Sequence, residues 1–412
     1  MTITREDCVA RDAADPLAPF RERFALPDGV IYLDGNSLGA LPRTTAARVA
    51  QVVEEEWGRH LITSWNRHDW IDLPHRIGDK LGRLIGATPG EAIVADSTSV
   101  NLYKMLSGAL ALRPERRVIL SEVGNFPTDL YIAEGLIEQL GRGHELRTVT
   151  ADEVPDALGD DVAVAMLTHV NYRTGRMYDM AATTALAHRH GALMLWDLAH
   201  SAGAVPVDLG AANADLAVGC GYKYLNGGPG APAFLYIAQR LQDSFRQPLS
   251  GWLGHAVPFA FDPHYRPAEG IRRAMVGTPP VISLAALEVG IDLMLEADMA
   301  ALRTKSLALG DLFIALAEQE CGPFGFEMVS PRDRAMRGSQ VSLVHAQGYA
   351  IMQALIARGV IGDFRAPDIL RFGLTPLYLG YAEIWDAVRI LKDVMTTGAW
   401  DHPDFHRRAA VT

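Results

Sequence analysis

Between residues 45 and 240 the chain alternates short apolar runs with helical patterns, and this alternation narrows the possible folds more than any other feature. The apolar runs occupy residues 92–96, 117–121, 162–168, 192–197, 215–220 and 233–237. Helical spacing of apolar residues falls at 44–57, 100–112, 128–140 and 180–190. Short buried strands joined by helices are typical of a mostly parallel sheet that is covered on both faces. The sequence therefore predicts an α/β fold.

The pattern changes after about residue 280, which predicts a second domain. A long helix begins near Ser283 and is broken once, and shorter strands at 339–346 and 369–374 follow among further helices. Mixed helices and strands of this kind predict a smaller α+β domain. We expect an N-terminal arm at 1–45, a large α/β domain at 46–280 and a small domain at 281–412, with the long helix bridging the last two.

Composition excludes several classes of function. The chain carries 38 Lys and Arg against 49 Asp and Glu, a formal net charge of -11, which disfavours nucleic acid as a partner but allows a local cationic pocket. No apolar stretch approaches the roughly 18 residues that span a bilayer, and the polar N-terminus lacks a signal-peptide pattern. The three cysteines are scattered and form no CxxC pair, so neither a disulfide scaffold nor a structural metal site is expected. We expect a cytoplasmic protein without membrane partners or bound metal.

Polar residues at the predicted strand ends are the candidate site, because ligands bind beyond the carboxyl ends of the strands in open α/β sheets. The strand at 92–96 ends at Ser97, Thr98 and Ser99 and is followed by a helix. Hydroxyl groups at a helix N-terminus suit a phosphate. An ordinary helix cap, which Ser and Thr supply in many helices, is the alternative.

Two further strand ends carry ionisable residues. Asp197 ends an apolar strand and His200 follows it, an arrangement that could hold a protonated ring nitrogen or simply cap a helix. Lys223 lies between Tyr222 and Tyr224, after a strand and before a Gly/Pro loop. A desolvated lysine there could bind an aldehyde covalently, whereas a surface lysine at a turn is the plainer interpretation. Only five lysines occur in 412 residues, which weakens the plainer interpretation.

The order of these three pieces is more specific than any one of them. A phosphate cup, an aspartate about 100 residues later and a lysine soon after it suit pyridoxal phosphate (PLP). The lysine would hold the aldehyde, the aspartate would keep the pyridine nitrogen protonated, and the cup would fix the phosphate.

Eight stretches of the chain resemble fold-type-I PLP enzymes of the class V aminotransferase superfamily, and more closely the kynureninase family. They are YLDGNSLGALP (32–42), TSVNLY (98–103), NFPTDLY (125–131), NYRTG (171–175), WDLAHSAGAVPVDL (196–209), GYKYLNGGPG (221–230), GWLGH (251–255) and DFRAPDILRFGLTPLY (363–378). The resemblance implies the fold-type-I PLP-dependent transferase fold, with a mostly parallel seven-stranded sheet in the large domain. It also implies a homodimer with a shared active site.

The resemblance implies roles for individual positions. The implied catalytic residues are Lys223, which holds the cofactor, and Tyr222, which transfers protons. The implied cofactor-binding residues are Thr98, Ser99, Phe126, Asp129, Thr168, Asp197, His200, Tyr222, Lys223, Trp252 and Thr278, the Trp252 and Thr278 contacts being made to the neighbouring subunit. The implied substrate-binding residues are Arg371 for the carboxylate, Trp65 and His68 for the aryl ring, and Ser37. No metal is implied.

The resemblance also implies an activity, the hydrolysis of L-kynurenine to anthranilate and L-alanine in tryptophan catabolism or NAD biosynthesis. Whether the ring carries a 3-hydroxyl group stays open. Rival hypotheses are a cysteine desulfurase or selenocysteine lyase, for which Cys321 is the one downstream cysteine, a class V transaminase, and a non-catalytic PLP-binding protein.

Overall fold

Strands and helices alternate along the chain, as the sequence predicts. The structure is a computed structural model that describes residues 3–409. Its strands are β1 Ile31–Tyr32, β2 Ala92–Val94, β3 Val118–Glu122, β4 Glu145–Val149, β5 Val162–Thr168, β6 Leu193–Asp197, β7 Leu216–Cys220, β8 Ala233–Ile237, β9 Glu327–Met328, β10 Gln340–Val344, β11 Val360–Ile361, β12 Asp363–Arg365 and β13 Ile369–Gly373. Its α-helices are α1 Arg5–Ala13, α2 Thr45–Gln51, α3 Ser64–Arg67, α4 Leu73–Ile85, α5 Thr98–Leu112, α6 Pro127–Leu140, α7 Val154–Ala157, α8 Met180–Arg189, α9 Gln239–Gln242, α10 Val281–Glu296, α11 Met299–Cys321, α12 Gly348–Ile356 and α13 Tyr381–Thr396.

The central sheet has seven strands in the order β2-β8-β7-β6-β5-β3-β4. Within it, β8 runs antiparallel to both of its neighbours and the other pairings are parallel. This confirms the predicted α/β fold with a mostly parallel seven-stranded sheet. The edge strand β4 was not among the predicted strands because its residues are polar and partly exposed.

The centre of the sheet is buried on both faces. In β5, Val164 and Met166 pack into one apolar cluster, whereas Ala165 and Leu167 pack into another on the opposite face. Since successive side chains of a strand point to opposite faces, a strand covered on both sides reads as one continuous apolar run. The polar residues that follow such a run are therefore left at the sheet edge.

The C-terminal part forms a four-stranded sheet in the order β12-β13-β10-β9, with antiparallel pairings. The predicted long helix is broken between α10 and α11, where Asp298 caps α11 by accepting from the amides of Ala300 and Ala301. The N-terminal residues lie against this part, because β1 pairs with β11 and Arg5 of α1 forms an ion pair of 2.8 Å with Asp386 of α13. The three-part domain division stays a prediction.

Residues 3–409 lack both a helix suited to a membrane and a cluster suited to a metal ion. None of the helices has the length and apolar character needed to cross a bilayer. No group of three or more His, Cys, Asp or Glu side chains is arranged to hold a metal ion.

Candidate active site

A cavity of about 240 Å³ opens where the strands of the central sheet end. Nine of the predicted cofactor-binding residues line it, namely Thr98, Ser99, Phe126, Asp129, Thr168, Asp197, His200, Tyr222 and Lys223. Four other residues complete the lining, namely Ser97, Thr128, Tyr172 and Ala199. The structure thus brings together side chains from positions 97 to 223 of the sequence.

One wall of the cavity is the N-terminus of α5. Ser97 caps this helix, its hydroxyl accepting a hydrogen bond from the Val100 amide at 3.3 Å, and Thr98 and Ser99 form the first turn. The first amides of a helix have no carbonyl partner within it, and the helix dipole is positive at this end. The wall therefore suits a phosphate group, and phosphate binding by Thr98 and Ser99 stays a prediction.

Two carboxyl groups lie together in another part of the lining. Asp197 accepts a hydrogen bond from the Ala199 amide at 2.7 Å, and both Asp197 and Asp129 are buried. Burial raises the pKa of Asp129 well above its usual value, and the charge of Asp197 raises it further. Burial also raises the pKa of Asp197, against the opposing effect of the Lys223 charge. Such a pair is stabilised by a cationic N–H donor.

Lys223 is held at the cavity by a histidine and two aromatic rings. Its Nζ donates a hydrogen bond to His200 Nε2 at 3.0 Å and lies 5.9 and 5.8 Å from the ring centres of Phe126 and Tyr222. Burial lowers the pKa of His200 well below its usual value, and the charge of Lys223 lowers it further. The imidazole is therefore neutral, and its Nε2 accepts the hydrogen bond that Lys223 donates.

Phe126 is positioned by a short hydrogen-bond chain. The Phe126 amide donates to Asn125 Oδ1 at 2.6 Å, Asn125 Nδ2 donates to Ser121 Oγ at 3.0 Å, and the Thr168 hydroxyl donates to Asn125 Oδ1. Thr168 thus lines the cavity and also holds the segment that carries the aromatic ring. The ring is packed edge-on against Tyr172, with 5.2 Å between ring centres.

The lining fits pyridoxal phosphate because two of its buried polar atoms have no hydrogen-bond partner, and one is an acceptor whereas the other is a donor. Asp129 Oδ2 has no hydrogen-bond donor and His200 Nδ1 has no acceptor within residues 3–409. A ligand with a protonated ring nitrogen and a ring oxygen would satisfy both atoms. Together with the phosphate wall and Lys223, these atoms match the functional groups of PLP.

Arg371, the predicted carboxylate-binding residue, is buried beside Ser37. Its Nε donates to Asp363 Oδ1 at 2.6 Å, its Nη2 contacts Asp363 Oδ2 and donates to Ser37 Oγ at 2.9 Å, and its Nη1 donates to the Tyr172 carbonyl at 2.6 Å. The Tyr172 backbone thereby connects the arginine to the cavity. The structure brings Ser37 and Arg371, each of which was predicted to bind the substrate, into direct contact.

Like Ser37 and Arg371, four further predicted residues do not line the cavity within one chain. Trp252 packs edge-on against Phe259 and is 38% exposed, and Thr278 is also exposed. Trp65 packs against Trp70, and His68 stacks on His60 with a 2.8 Å contact between ring nitrogens. Their roles stay predictions.

The residues of this region without a predicted role include Tyr172, Asp363 and Arg365. All three fall within the stretches NYRTG and DFRAPDILRFGLTPLY, which the resemblance already marked. The signal that could have found Asp363 and Arg365 is their proximity in sequence to Arg371, since the hairpin of β12 and β13 pairs Asp363 with Arg371 directly.

Comparison with known proteins agrees with this geometry. Residues 302–391 match the family model for the kynureninase C-terminal domain. The chain is similar to kynureninases of Burkholderia pseudomallei strain 1106a, with 58% identity, and of Pseudomonas fluorescens, with 57% identity. Each alignment covers 99% of this chain and 100% of the relative.

Solved structures show the same fold at low identity. A cysteine desulfurase from Thermococcus onnurineus NA1 superposes with a TM-score of 0.78 at 17% identity, covering 92% of this chain and 98% of that one. A variant of C-DES with glycine covalently linked to its PLP cofactor gives 0.79 at 18% identity, covering 90% and 99%. These likenesses confirm the fold-type-I architecture, and the full-length identities show that the chain belongs to the kynureninase family.

Proposed function

We propose that this protein binds pyridoxal phosphate and hydrolyses L-kynurenine to anthranilate and L-alanine. The observation that carries the proposal is the full-length identity of 58% to a kynureninase, together with one cavity that holds Lys223, Asp197 and a phosphate wall. When bound, PLP supplies an aldehyde for the substrate amine and a ring that stabilises negative charge at the adjacent carbon. The reaction assigns the protein to tryptophan degradation.

The side chains of the cavity would bind and orient the reactants. Thr98, Ser99 and the first turn of α5 hold the phosphate, and Phe126 lies against the ring. Asp197 and Asp129 hold a proton at the ring nitrogen, which offsets the destabilisation of two buried carboxyl groups. Arg371 contributes a charge-assisted hydrogen bond to the α-carboxylate.

Lys223 and Tyr222 would move protons at the substrate. Lys223 Nζ lies next to the neutral imidazole of His200, and the lysine removes the proton from the substrate Cα. Water then adds to the γ-carbonyl carbon, the Cβ–Cγ bond breaks, and the electron pair stays on Cβ. Burial raises the pKa of Tyr222, so its phenol stays protonated and donates a proton to Cβ. Tyr222 regains a proton from the water that added to Cγ, and Lys223 returns its proton to Cα. One water is consumed, and the products are anthranilate and L-alanine.

The test is anthranilate release, which is followed by fluorescence after L-kynurenine or 3-hydroxy-L-kynurenine is added to the PLP-loaded protein. We expect rapid release from wild type and none from Lys223→Ala. The Cys321→Ala variant serves as a control and should be as active as wild type. A folded, PLP-bound wild type that releases no hydroxylated or unhydroxylated anthranilate would disprove the proposed reaction.

Cysteine desulfurase chemistry is disfavoured by the position of Cys321. This residue ends α11 and is fully buried. Burial raises the pKa of its thiol to about 12, with a smaller contribution from the charge of Glu320. A nucleophilic cysteine needs the opposite environment, exposed and electropositive.

We further propose a homodimer with a shared site. The segment that carries Trp252 also exposes Phe259 and Phe261, at 59% and 77%, and large exposed apolar side chains in one segment indicate an interaction surface. In such a dimer Trp252 and Thr278 would reach the partner's phosphate. Mixing inactive Lys223→Ala with inactive Trp252→Ala protein should restore activity through hybrid dimers, and no restoration after verified subunit exchange would count against sharing. A cytoplasmic location stays a prediction.

A further inference from the structure

The buried guanidinium of Arg371 has little capacity left for a substrate. An arginine has five N–H donors. Asp363 accepts from Nε and Nη2, Ser37 Oγ accepts from Nη2, and the Tyr172 carbonyl accepts from Nη1. One N–H remains, on Nη1, whereas the strongest carboxylate binding uses two parallel N–H donors. Arg371 can therefore offer a substrate carboxylate a single donor while its protein contacts stay intact.

A second arginine lies at the same aspartate and keeps more of its donors free. Arg365 Nη2 is 2.7 Å from Asp363 Oδ2 and 3.3 Å from Ser37 Oγ, and its Nη1 makes one long contact of 3.3 Å to the Phe364 carbonyl. Its Nε has no acceptor among the residues that the structure describes. The Arg365 side chain is 36% exposed, whereas those of Arg371 and Asp363 are 1% exposed. Arg365 therefore combines free donors with a more exposed side chain than Arg371.

A chain of contacts connects Arg365 to the cavity. Arg365 shares Ser37 and Asp363 with Arg371, and Arg371 donates to the carbonyl of Tyr172, which lines the cavity. The charge of Arg365 also acts on Tyr222 and, together with that of Arg371, on His200, and both of these residues line the cavity. An anion bound next to Lys223 would therefore lie within the field of both arginines.

The cluster of Arg365, Arg371 and Asp363 carries more positive than negative charge. Burial favours the neutral form of Asp363, but the hydrogen bonds and charge of Arg371 outweigh it and lower the pKa of this carboxyl. Two guanidiniums thus share one carboxylate. Asp34 is the other carboxyl group nearby, and burial, followed by the charge of Asp363, raises its pKa to about 7. A substrate carboxylate would supply the missing negative charge.

We propose that Arg365 is a second binding group for the substrate α-carboxylate, which it holds together with the free Nη1 donor of Arg371. Asp363 lies between the two arginines and orients both. The inference rests on the proposed function, since L-kynurenine is the substrate that brings the carboxylate.

The experiment compares a substrate with its decarboxylated form. kcat and KM for L-kynurenine, and the inhibition constant of kynurenamine, which lacks the carboxylate, are measured for the PLP-loaded wild type, Arg365→Gln and Arg365→Lys. For Arg365→Gln we expect KM to rise about 10- to 100-fold with kcat changed less than threefold, from the loss of a hydrogen bond to a charged group. Arg365→Lys keeps the charge but not the planar fork, and we expect a rise of about three- to tenfold. The kynurenamine constant should change less than twofold in both variants.

Arg358→Gln is the matched control, because Arg358 is 37% exposed and pairs with Asp393 away from the cavity. It should match wild type in every constant. If the kynurenamine constant changes as much as KM, or if KM does not change in either Arg365 variant, the inference is overturned while wild-type turnover still supports the proposed function. If Arg365→Gln fails to fold, the Arg365→Lys values decide by the same criteria. A wild type without anthranilate release overturns both.

Discussion

Lys104 and Asp96 form a partly buried ion pair near the phosphate wall, and we predict that replacing either partner lowers the free energy of unfolding by a different amount. Lys104 Nζ lies 2.7 Å from Asp96 Oδ2 and 2.9 Å from the Ala274 carbonyl. The Lys104 side chain is 0% exposed, whereas that of Asp96 is 28% exposed. Asp96→Asn leaves an ammonium group buried without its counter-charge. Lys104→Met leaves a carboxylate that water still reaches.

The burial of the two side chains determines how much unfolding free energy each variant loses. Burial already lowers the pKa of Lys104, against the attraction of Asp96. In Asp96→Asn the lysine loses its proton on folding, and at pH 7 neutralising a lysine with an ordinary pKa near 10.5 costs about 4.8 kcal/mol, at about 1.4 kcal/mol for each pH unit. We expect a loss of about 3–5 kcal/mol, since breaking a buried pair from one side has this magnitude. For Lys104→Met we expect about 1–2 kcal/mol, mainly from the unpaired Ala274 carbonyl.

The two variants should also differ in their pH dependence. In Asp96→Asn the unfolded chain binds a proton at Lys104 that the folded chain lacks, so its stability rises with pH below the unfolded pKa. From pH 7.0 to 8.5 the deficit against wild type should shrink by up to about 2 kcal/mol. Lys104→Met has no titrating group at this position, so its deficit should stay constant.

Urea unfolding of the PLP-loaded proteins, followed by circular dichroism at pH 7.0 and 8.5, measures both quantities. Asn is a suitable replacement because Asp96 has a φ of 53°, a left-handed conformation that Asn tolerates better than most residues. A larger loss for Lys104→Met than for Asp96→Asn would refute the reasoning. So would an Asp96→Asn deficit that does not shrink as the pH rises.

Three further predictions concern activity. A Cβ on Gly39 would overlap the Lys223 carbonyl oxygen, so we expect Gly39→Ala to lower kcat about tenfold or more in the anthranilate assay, because misplacement of a catalytic group is costly. Burial and the charge of Asp363 raise the pKa of Asp34 to about 7. Because ionised Asp34 would repel the substrate carboxylate, kcat/KM for L-kynurenine should fall as the pH rises through 7. In Asp34→Asn the pH profile of kcat/KM should show a smaller fall over this range. Cys321→Ala should keep wild-type kcat and KM while losing about 1–2 kcal/mol in urea unfolding, because it removes only a buried sulfur.

The strands of the central sheet were predictable because burial on both faces leaves a simple pattern. β5, at Val162–Thr168, coincides with its predicted range, and polar Thr168 ends it at the cavity. β4, at Glu145–Val149, pairs only with β3 and contains only exposed and half-buried residues, so it has no apolar run to detect. Edge strands of this kind take their position from a neighbour and not from their own composition.

Most of the residues that line the cavity were predictable from the sequence, but the hydrogen bonds that connect them were not. Lys223 and Asp197 follow buried strands, and that position shows in a short window of sequence. The contact of Ser37 with Asp363 joins residues 326 positions apart, and no local pattern encodes it. Trp252 and Thr278 require a second chain, so one chain in isolation does not test their predicted roles.

The distribution of charge around the cavity explains how a chain with a net charge of -11 can bind a substrate carboxylate. The charge of Lys223 acts on the buried carboxyl groups of Asp129 and Asp197, and it also acts on His200, which is 3.0 Å from the lysine and is further influenced by Arg371 and Arg365. Lys223 therefore stands between an acidic and a basic region of one cavity. Because Coulomb energies at a few ångströms exceed those of distant screened charges, this local arrangement and not the net charge decides which way a zwitterionic amino acid is oriented. Substitutions that keep the net charge but exchange charges between the two regions should therefore abolish binding, whereas exchanges on the outer surface should not.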